Sequence, residues 1–407
     1  MAEPIRNGPL FVVGHARSGT TALHRAVAHA KTRRYASLTL GEMLLAPSVT
    51  GRVLLAAAGR FDAAALRGAG RAAVGALDRW LLAGPTSRAG HRFSLFAAEE
   101  DEWLLAHAAA SQQLRLLFPR GAPGVLGLGD DDDDRDDGAR WGFYAACVKR
   151  HLYYHRRVAK TADPDCVFVS KNPAFTLALR SLARAFPDAR FAVAVREPRH
   201  AVASALAYRT ALARLCGGAP FAAADRAAVV DAAPAMYALP PWRLRLLPRA
   251  RYASVAFDAL RGDPDGAVGS LCARLGLPAA TGAGQDHAGT VRPRERDAAA
   301  AEVEARLASN PITAAKFKCA AEVLAQLPGE PRLSEEAALR LLPASALPEL
   351  TGTMAAYVHA NLAASRAPPE VAVDRLVRDF NNGLHGLPGT RQGTRQAAAR
   401  QAVMAML

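Results

Sequence analysis

The eight residues from Gly14 to Thr21, GHARSGTT, follow the apolar run Pro9-Leu10-Phe11-Val12-Val13 and have the types and spacing of a phosphate-binding loop whose lysine is replaced. A loop that serves nucleoside triphosphates reads G-x-x-x-x-G-K-[ST]; its lysine reaches the β and γ phosphates and its hydroxyl holds magnesium. Here Gly14 and Gly19 keep the spacing, Thr20 stands in the lysine's place, and the cation has moved to Arg17. Backbone N–H groups of Ser18, Gly19, Thr20 and Thr21 at a helix N-terminus can still cradle one phosphate. Nothing in the loop reaches a γ-phosphate.

A second anchor lies in RFAVAVREPRHAVASAL, from Arg190. Arg196 ends an apolar run, and Ser204 stands eight residues on, inside the helical pattern that follows. A forked guanidinium beside a hydroxyl donor suits phosphate oxygens. Taken alone, Arg196 would pair more simply with Glu197 or with a carboxylate at a sheet edge. Lys171 closes the run Cys166-Val167-Phe168-Val169-Ser170 and so supplies a third cation, which alone would be a solvated strand-end lysine.

The elements that must carry these groups alternate. Extended runs fall at residues 9–14, 34–38, 166–170, 190–195 and 251–257, and helical patterns lie between most of them. Leu23, Ala26, Val27 and Ala30 form one helical face after the loop; Leu179, Leu182, Ala183 and Phe186 form another. Helices are expected over 141–157 and 200–215. Asp263-Pro264 has the chemistry of a cap and first-turn proline, with Val268, Leu271, Cys272 and Leu275 as the apolar face and Gly276 at the stop. Such alternation predicts an α/β fold, a P-loop NTPase-like parallel sheet flanked by helices, with ligands at the carboxyl ends of the strands. Residues 53–118 read mainly as alanine-rich helix, interrupted by Gly84-Pro85 and near Gly90, and 121–138 as an exposed acidic loop. The expected organisation is an α/β domain over 1–285, with a helical insert over about 43–160, and a helical C-terminal region over 286–407 that carries no chemical motif.

Charge narrows the partners. The chain carries a net +14, and the run Asp130 to Asp137 alone contributes −6, leaving +20 elsewhere. Such a balance favours anionic ligands, while the absence of zinc-finger spacing, RNA-binding signatures and basic stripes with interleaved aromatics argues against nucleic acid. Cys147, Cys166, Cys216, Cys272 and Cys319 are odd in number and never form a CxxC pair, so they read as isolated thiols. The Asp run lacks the glycine and distal glutamate of a calcium loop. His151 and His155, four apart on one helical face, suggest a metal pair, but the sequence offers no evident third ligand, and no metal is expected. With the loop starting so close to Met1 and no long apolar stretch, neither a signal peptide nor a membrane span is expected, which predicts a cytoplasmic protein.

The loop after a first strand, joined to a later strand ending in Arg196-Glu197-Pro198 with a serine eight residues past the arginine, resembles the sulfotransferases that use 3′-phosphoadenosine 5′-phosphosulfate. Ser170 to Ser204, SKNPAFTLALRSLARAFPDARFAVAVREPRHAVAS, is similar to the matching region of tyrosylprotein sulfotransferases and of a broad bacterial and algal group. GEMLLAP from Gly41, EEDE from Glu99 and RYASVAFDALRGDP from Arg251 extend the likeness. The resemblance implies that the first loop holds the donor's 5′-phosphate, with Arg17 also opposing charge on the leaving oxygen, and that Arg196 and Ser204 hold the 3′-phosphate. That donor has no γ-phosphate, so it does not require the missing lysine.

Lys171-Asn172-Pro173 corresponds to a K-[SD]-P motif, which implies that Lys171 contacts the transferred group or the bridging oxygen. Asn172 departs from the commoner Ser or Asp, and Phe175 stands where many bacterial relatives have histidine. An acceptor hydroxyl also needs a base within hydrogen-bond reach. The resemblance favours Glu42, then Glu100 or Asp101, although the four-acid run Glu99-Glu100-Asp101-Glu102 reads equally as a solvated helix start. His15, inside the loop, would orient a ligand. Protein tyrosine, carbohydrate, lipid and small-metabolite acceptors all remain open. The rivals are a P-loop kinase or hydrolase with a degenerate loop and a nucleotide-binding module without turnover.

Overall fold

The computed structural model describes residues 4–28, 33–44, 48–88, 90–107, 134–215, 223–244, 247–280, 293–311, 313, 314 and 317. Five strands form one parallel sheet: β1 (Leu10–Val13), β2 (Tyr35–Ala36), β3 (Val167–Lys171), β4 (Arg190–Val195) and β5 (Tyr252–Ala256), in the order β2-β3-β1-β4-β5. The strands are near-continuous apolar runs because both faces of the sheet are covered. Alternation along β1 sends Phe11 and Val13 into one core and Leu10 and Val12 into the other.

The first core is aromatic. Phe11 meets Phe175, Phe186, Phe191 and Tyr144, under α7 (Asp134–Tyr153) and α8 (Leu179–Ala185). The second is aliphatic, with Leu23 and Val27 of α1 (Thr20–Ala28) packed against Val268, Leu271 and Cys272 of α12 (Pro264–Arg274). Asp263 caps α12 through the Gly266 N–H at 2.9 Å, and Gly276 ends this segment at φ 58°, as the sequence predicts.

Between β2 and β3 lie α2 (Leu40–Leu44), α3 (Val49–Ala65), α4 (Ala69–Asp78), a π-type turn over Arg79–Ala83, α5 (Gly84–Arg88) and the single turn α6 (Trp103–Ala106). The helix break falls at Gly68, left-handed at φ 81°, and not at Gly84-Pro85. Pro85 lies within this continuous helical run and donates no N–H to it. α7 begins at Asp134 and so takes the end of the acidic run into helix; residues 121–133 lie outside the described residues.

After β4 come α9 (Pro198–Leu215) and α10 (Ala223–Leu244), and after β5 the short α11 (Phe257–Gly262) precedes α12. α13 (Pro293–Ser309), the first described helix beyond residue 285, packs Ala299, Val303 and Leu307 against Val202 and Leu206 of α9 and Val230 of α10. It shares a core with the sheet-bearing part of the chain. Residues 318–407 lie outside the described residues, and no described helix is long and apolar enough to cross a membrane.

The strand order fixes the position of the chemistry. β1 lies between β3 and β4, with Val12 in register with Lys171 and Val13 with Val193. The loop leaving β1 therefore emerges between the ends of the strands that deliver Lys171 and Arg196, at the point where successive connections turn to opposite sides.

Candidate functional site

Gly14 and Gly19 are required by geometry. Both have positive φ, and a Cβ would lie 2.3 Å from the Ala194 carbonyl oxygen at Gly14 and 2.8 Å from the Phe257 ring at Gly19. Arg17, at φ 69°, holds a left-handed backbone without glycine's freedom, a strain that the surrounding structure must offset. The loop is clamped by Thr176, whose hydroxyl accepts from the Gly14 N–H at 2.8 Å and donates to the Gly14 carbonyl at 3.1 Å. The Ser18 N–H donates to the His15 carbonyl at 3.1 Å.

The two phosphate-type elements meet. Arg17 Nε donates to Ser204 Oγ at 3.2 Å, and Arg196 Nη1 donates to the Arg17 carbonyl at 3.1 Å. Arg196 lies over the Phe257 ring at 4.3 Å and Arg17 over the Tyr208 ring at 5.3 Å. Glu197 does not pair with Arg196; it accepts from the His200 N–H at 2.8 Å at the start of α9. Burial pushes both arginines below their ordinary pKa, and each also lies in the field of another arginine. A further anion among them would relieve that penalty.

Tyr237 of α10 stacks on His15 with ring centroids 5.2 Å apart. Burial holds His15 neutral, at a pKa of about 4, and raises that of Tyr237. The hydroxyls of Ser18 and Tyr237 are buried and bear on each other, in a site lined with cations, and neither makes a close hydrogen bond to the rest of the described protein. Such hydroxyls are expected where a ligand completes the network.

Lys171 is fully buried, and its Nζ donates to Glu100 Oε1 at 2.9 Å. Glu100 also bears electrostatically on Arg17, so this carboxylate faces both the lysine and the loop. The four-acid run is no solvated helix start. Glu99, Asp101 and Glu102 are each 1% exposed. Glu99 accepts from Arg25 Nη2 of α1 and from His91 Nε2, both at 3.1 Å. Burial alone would raise its pKa, but His91, Lys171 and Arg25 hold it down at about 2. Asp101 accepts from the Tyr144 hydroxyl, and burial raises its pKa to about 7. Its neighbours on both sides are thus tied down, which aims Glu100 at Lys171.

Glu42 has a different set of partners. Its carboxylate accepts from the Thr39 N–H at 2.9 Å, and its own N–H donates to Thr39 Oγ1 at 3.2 Å, a reciprocal capping box at the start of α2. The other oxygen accepts from His155 Nε2 at 2.9 Å and lies 3.6 Å from Arg52 and 3.8 Å from His151. Burial would raise its pKa; His151, His155, Arg52 and the Thr39 N–H hold it well below the usual carboxylate range. Glu42 thus supplies the third candidate ligand that His151 and His155 lacked in the sequence. A guanidinium already occupies that neighbourhood, with Arg52 Nη1 donating to His151 Nδ1 at 2.8 Å.

The departures at Asn172 and Phe175 have structural reasons. Asn172 caps the short helix Pro173–Ala178 by accepting from the Ala174 N–H at 2.8 Å, and Phe175 fills the aromatic core against Trp141 and Tyr144. Sequence reasoning missed Thr176, Tyr208, Tyr237 and Phe257. Tyr208 carries a usable signal, since it stands four residues after Ser204 on the same face of α9; Phe257 carries none.

Comparison with known proteins identifies the family. The model of the sulfotransferase family matches residues 9–281, more than half of the chain. Among solved structures, the sulfotransferase STF1 of Mycobacterium tuberculosis is 20% identical, with 75% of this chain and 77% of that one covered at a TM-score of 0.44. Sulfotransferase STF9 of Mycobacterium avium is 17% identical, with 75% and 69% covered at a TM-score of 0.44. No curated protein matches the chain by sequence.

Proposed function

The chain belongs to the sulfotransferase family and moves a sulfuryl group, and from that premise we propose that its donor is 3′-phosphoadenosine 5′-phosphosulfate and its acceptor a hydroxyl or amine. The observation that carries this reading is the junction of Arg196, Arg17 and Ser204, which brings a phosphate-type loop and a second anion-binding element into one hydrogen-bonded set. The loop N–H groups from Gly19 to Thr21, with the Ser18 hydroxyl, would hold the 5′-phosphate, the Ser18 N–H being used by the His15 carbonyl; Arg196 and Ser204 would hold the 3′-phosphate. The buried Ser18 hydroxyl, whose neighbour is the Tyr237 hydroxyl, fits a loop that closes on an anion. No metal is required, because Arg17 and Lys171 supply the fixed positive charge.

In-line transfer forms a bond from the acceptor oxygen or nitrogen to sulfur and breaks the bond from sulfur to the bridging oxygen. Negative charge then develops on the leaving phosphate, where Lys171 and Arg17 stabilise it. The acceptor's proton goes to a carboxylate. Glu100 is the better placed of the candidates, since it already touches Lys171, whereas Glu42 is committed to a capping box and Asp101 to Tyr144. Glu100→Gln is expected to lower kcat by about 10²–10⁴-fold with donor binding retained. Glu42→Gln should leave kcat within about tenfold and lower the thermal midpoint, through loss of its ion pairs. The reverse pattern would return the base to Glu42.

Donor identity is tested by thermal shift, because a ligand that binds only the folded state raises apparent stability. Adenosine 3′,5′-bisphosphate should stabilise the wild type, and Arg196→Ala should bind it roughly 10–100-fold more weakly through loss of a charge-assisted contact. A response to ATP with Mg²⁺ alone would overturn the donor assignment and favour a nucleotide kinase. Binding of the bisphosphate without transfer to any acceptor would mark a module without turnover.

A further inference from the structure

The segment Val49–Ala83, which forms the α3–α4 hairpin and the turn after it, is built inside out. Its buried side chains are Arg52, Asp62, Asp78 and Ala83. The polar ones hold it together and to the body. Asp62 accepts from the N–H groups of Gly70 and Arg71 at 2.7 and 2.9 Å, which locks α3 to α4. Asp78 accepts from Ser94 Oγ at 2.8 Å and from the Leu95 N–H at 2.7 Å, and Arg52 reaches His151. Most of the large apolar side chains point outward: Leu54 and Phe61 are 65% exposed and Trp80 is 73% exposed, with Leu66, Leu77 and Leu81 also exposed, while Leu82 packs against the aromatic core. A hairpin stabilised only by its own packing would do the opposite.

The exposed charges of this stretch are of one sign. Arg60, Arg67, Arg71 and Arg79 are exposed, while both carboxylates of the stretch, Asp62 and Asp78, are among its buried groups. We propose that this hairpin docks the protein on an anionic lipid bilayer, with the leucines, Phe61 and Trp80 at the boundary between headgroups and acyl chains and the arginines on lipid phosphates. The charge pattern selects this occupant. A second copy of the hairpin would bring arginines against arginines, and the chain's own Asp130 to Asp137 run has the right charge but no apolar side chain to cover the leucines.

The test is co-sedimentation of the full chain with vesicles of phosphatidylcholine alone and of phosphatidylcholine mixed with phosphatidylglycerol. Sedimentation is expected with the mixed vesicles only, weakening as salt is raised. Leu54→Ser with Trp80→Ser should lower the partition coefficient at least about tenfold, and Arg60→Gln with Arg67→Gln about fivefold for each charge removed. These side chains face outward, so thermal midpoints should match the wild type and show that the variants fold. Absence of sedimentation with either vesicle, or equal sedimentation of wild type and variants, would overturn the proposal. So would a dimer in light scattering that Trp80→Ser converts to monomer, which would assign the face to a second copy.

Discussion

Lys171→Ala is expected to lower kcat by about 10²–10³-fold while adenosine 3′,5′-bisphosphate still stabilises the protein. Lys171 is the buried cation at the end of β3, and its Nζ meets Glu100 at 2.9 Å. The substitution also strips Glu100 of its partner, so a loss of activity could be mistaken for a loss of structure. Combining Lys171→Ala with Glu100→Gln removes the unpaired carboxylate and separates the two. Thermal stability should recover in the double variant, and its turnover should fall below that of Glu100→Gln alone, since the lysine's share is lost as well. Turnover near that of the wild type in Lys171→Ala would remove the lysine from the chemistry.

The second large effect is on stability. Arg25→Ala should destabilise the fold by about 3–5 kcal/mol in urea unfolding at pH 7, because it leaves Glu99 charged and buried with only part of its compensation. Arg25 and Glu99 are 3% and 1% exposed and meet at 3.1 Å. The pH dependence has a definite sign. Glu99 is depressed in the folded state from 4.5 to about 2, so its contribution is full above about 4.5 and fades as pH falls through 2. The gap between wild type and Arg25→Ala should therefore narrow in acid. Glu99→Gln added to Arg25→Ala should recover much of the loss. A difference below about 1 kcal/mol at pH 7 would place the pair with ordinary surface bridges. Because Glu99 precedes Glu100, Arg25→Ala should also lower turnover by displacing its neighbour.

The sheet and its loop were legible because their signals are local. Runs such as Leu10–Val13 and Arg190–Val195 are apolar throughout, and a strand buried on both faces has no other pattern to show. Arg17, Lys171, Arg196 and Ser204 could be placed at one edge because parallel strands put all their carboxyl ends there. The acidic run was not legible. What decides between a solvated helix start and a buried anchor is Arg25, in a different element 74 residues earlier, and no local pattern records that pairing. Glu42 shows the converse. Thr39-Leu40-Gly41-Glu42 spells a capping box, yet a carboxylate near a site invites a catalytic reading. Tyr237 was hidden by Pro234, Pro240 and Pro241, which break a helical pattern on paper, although α10 runs through all three. The helices of the insert could be read from their alanines, but which way Leu54 and Trp80 point depends on what the rest of the fold offers them.

The position of β1 has a consequence for synthesis. This strand carries the phosphate loop, yet its sheet neighbours among the described residues are β3 and β4, which end at Lys171 and Val195, far later in the chain. At 5–20 residues per second a ribosome needs roughly 10–40 s to supply them. For that interval the strand has no sheet partner, and α1, whose Leu23 and Val27 share a core with Leu10 and Val12, is the native cover within its reach.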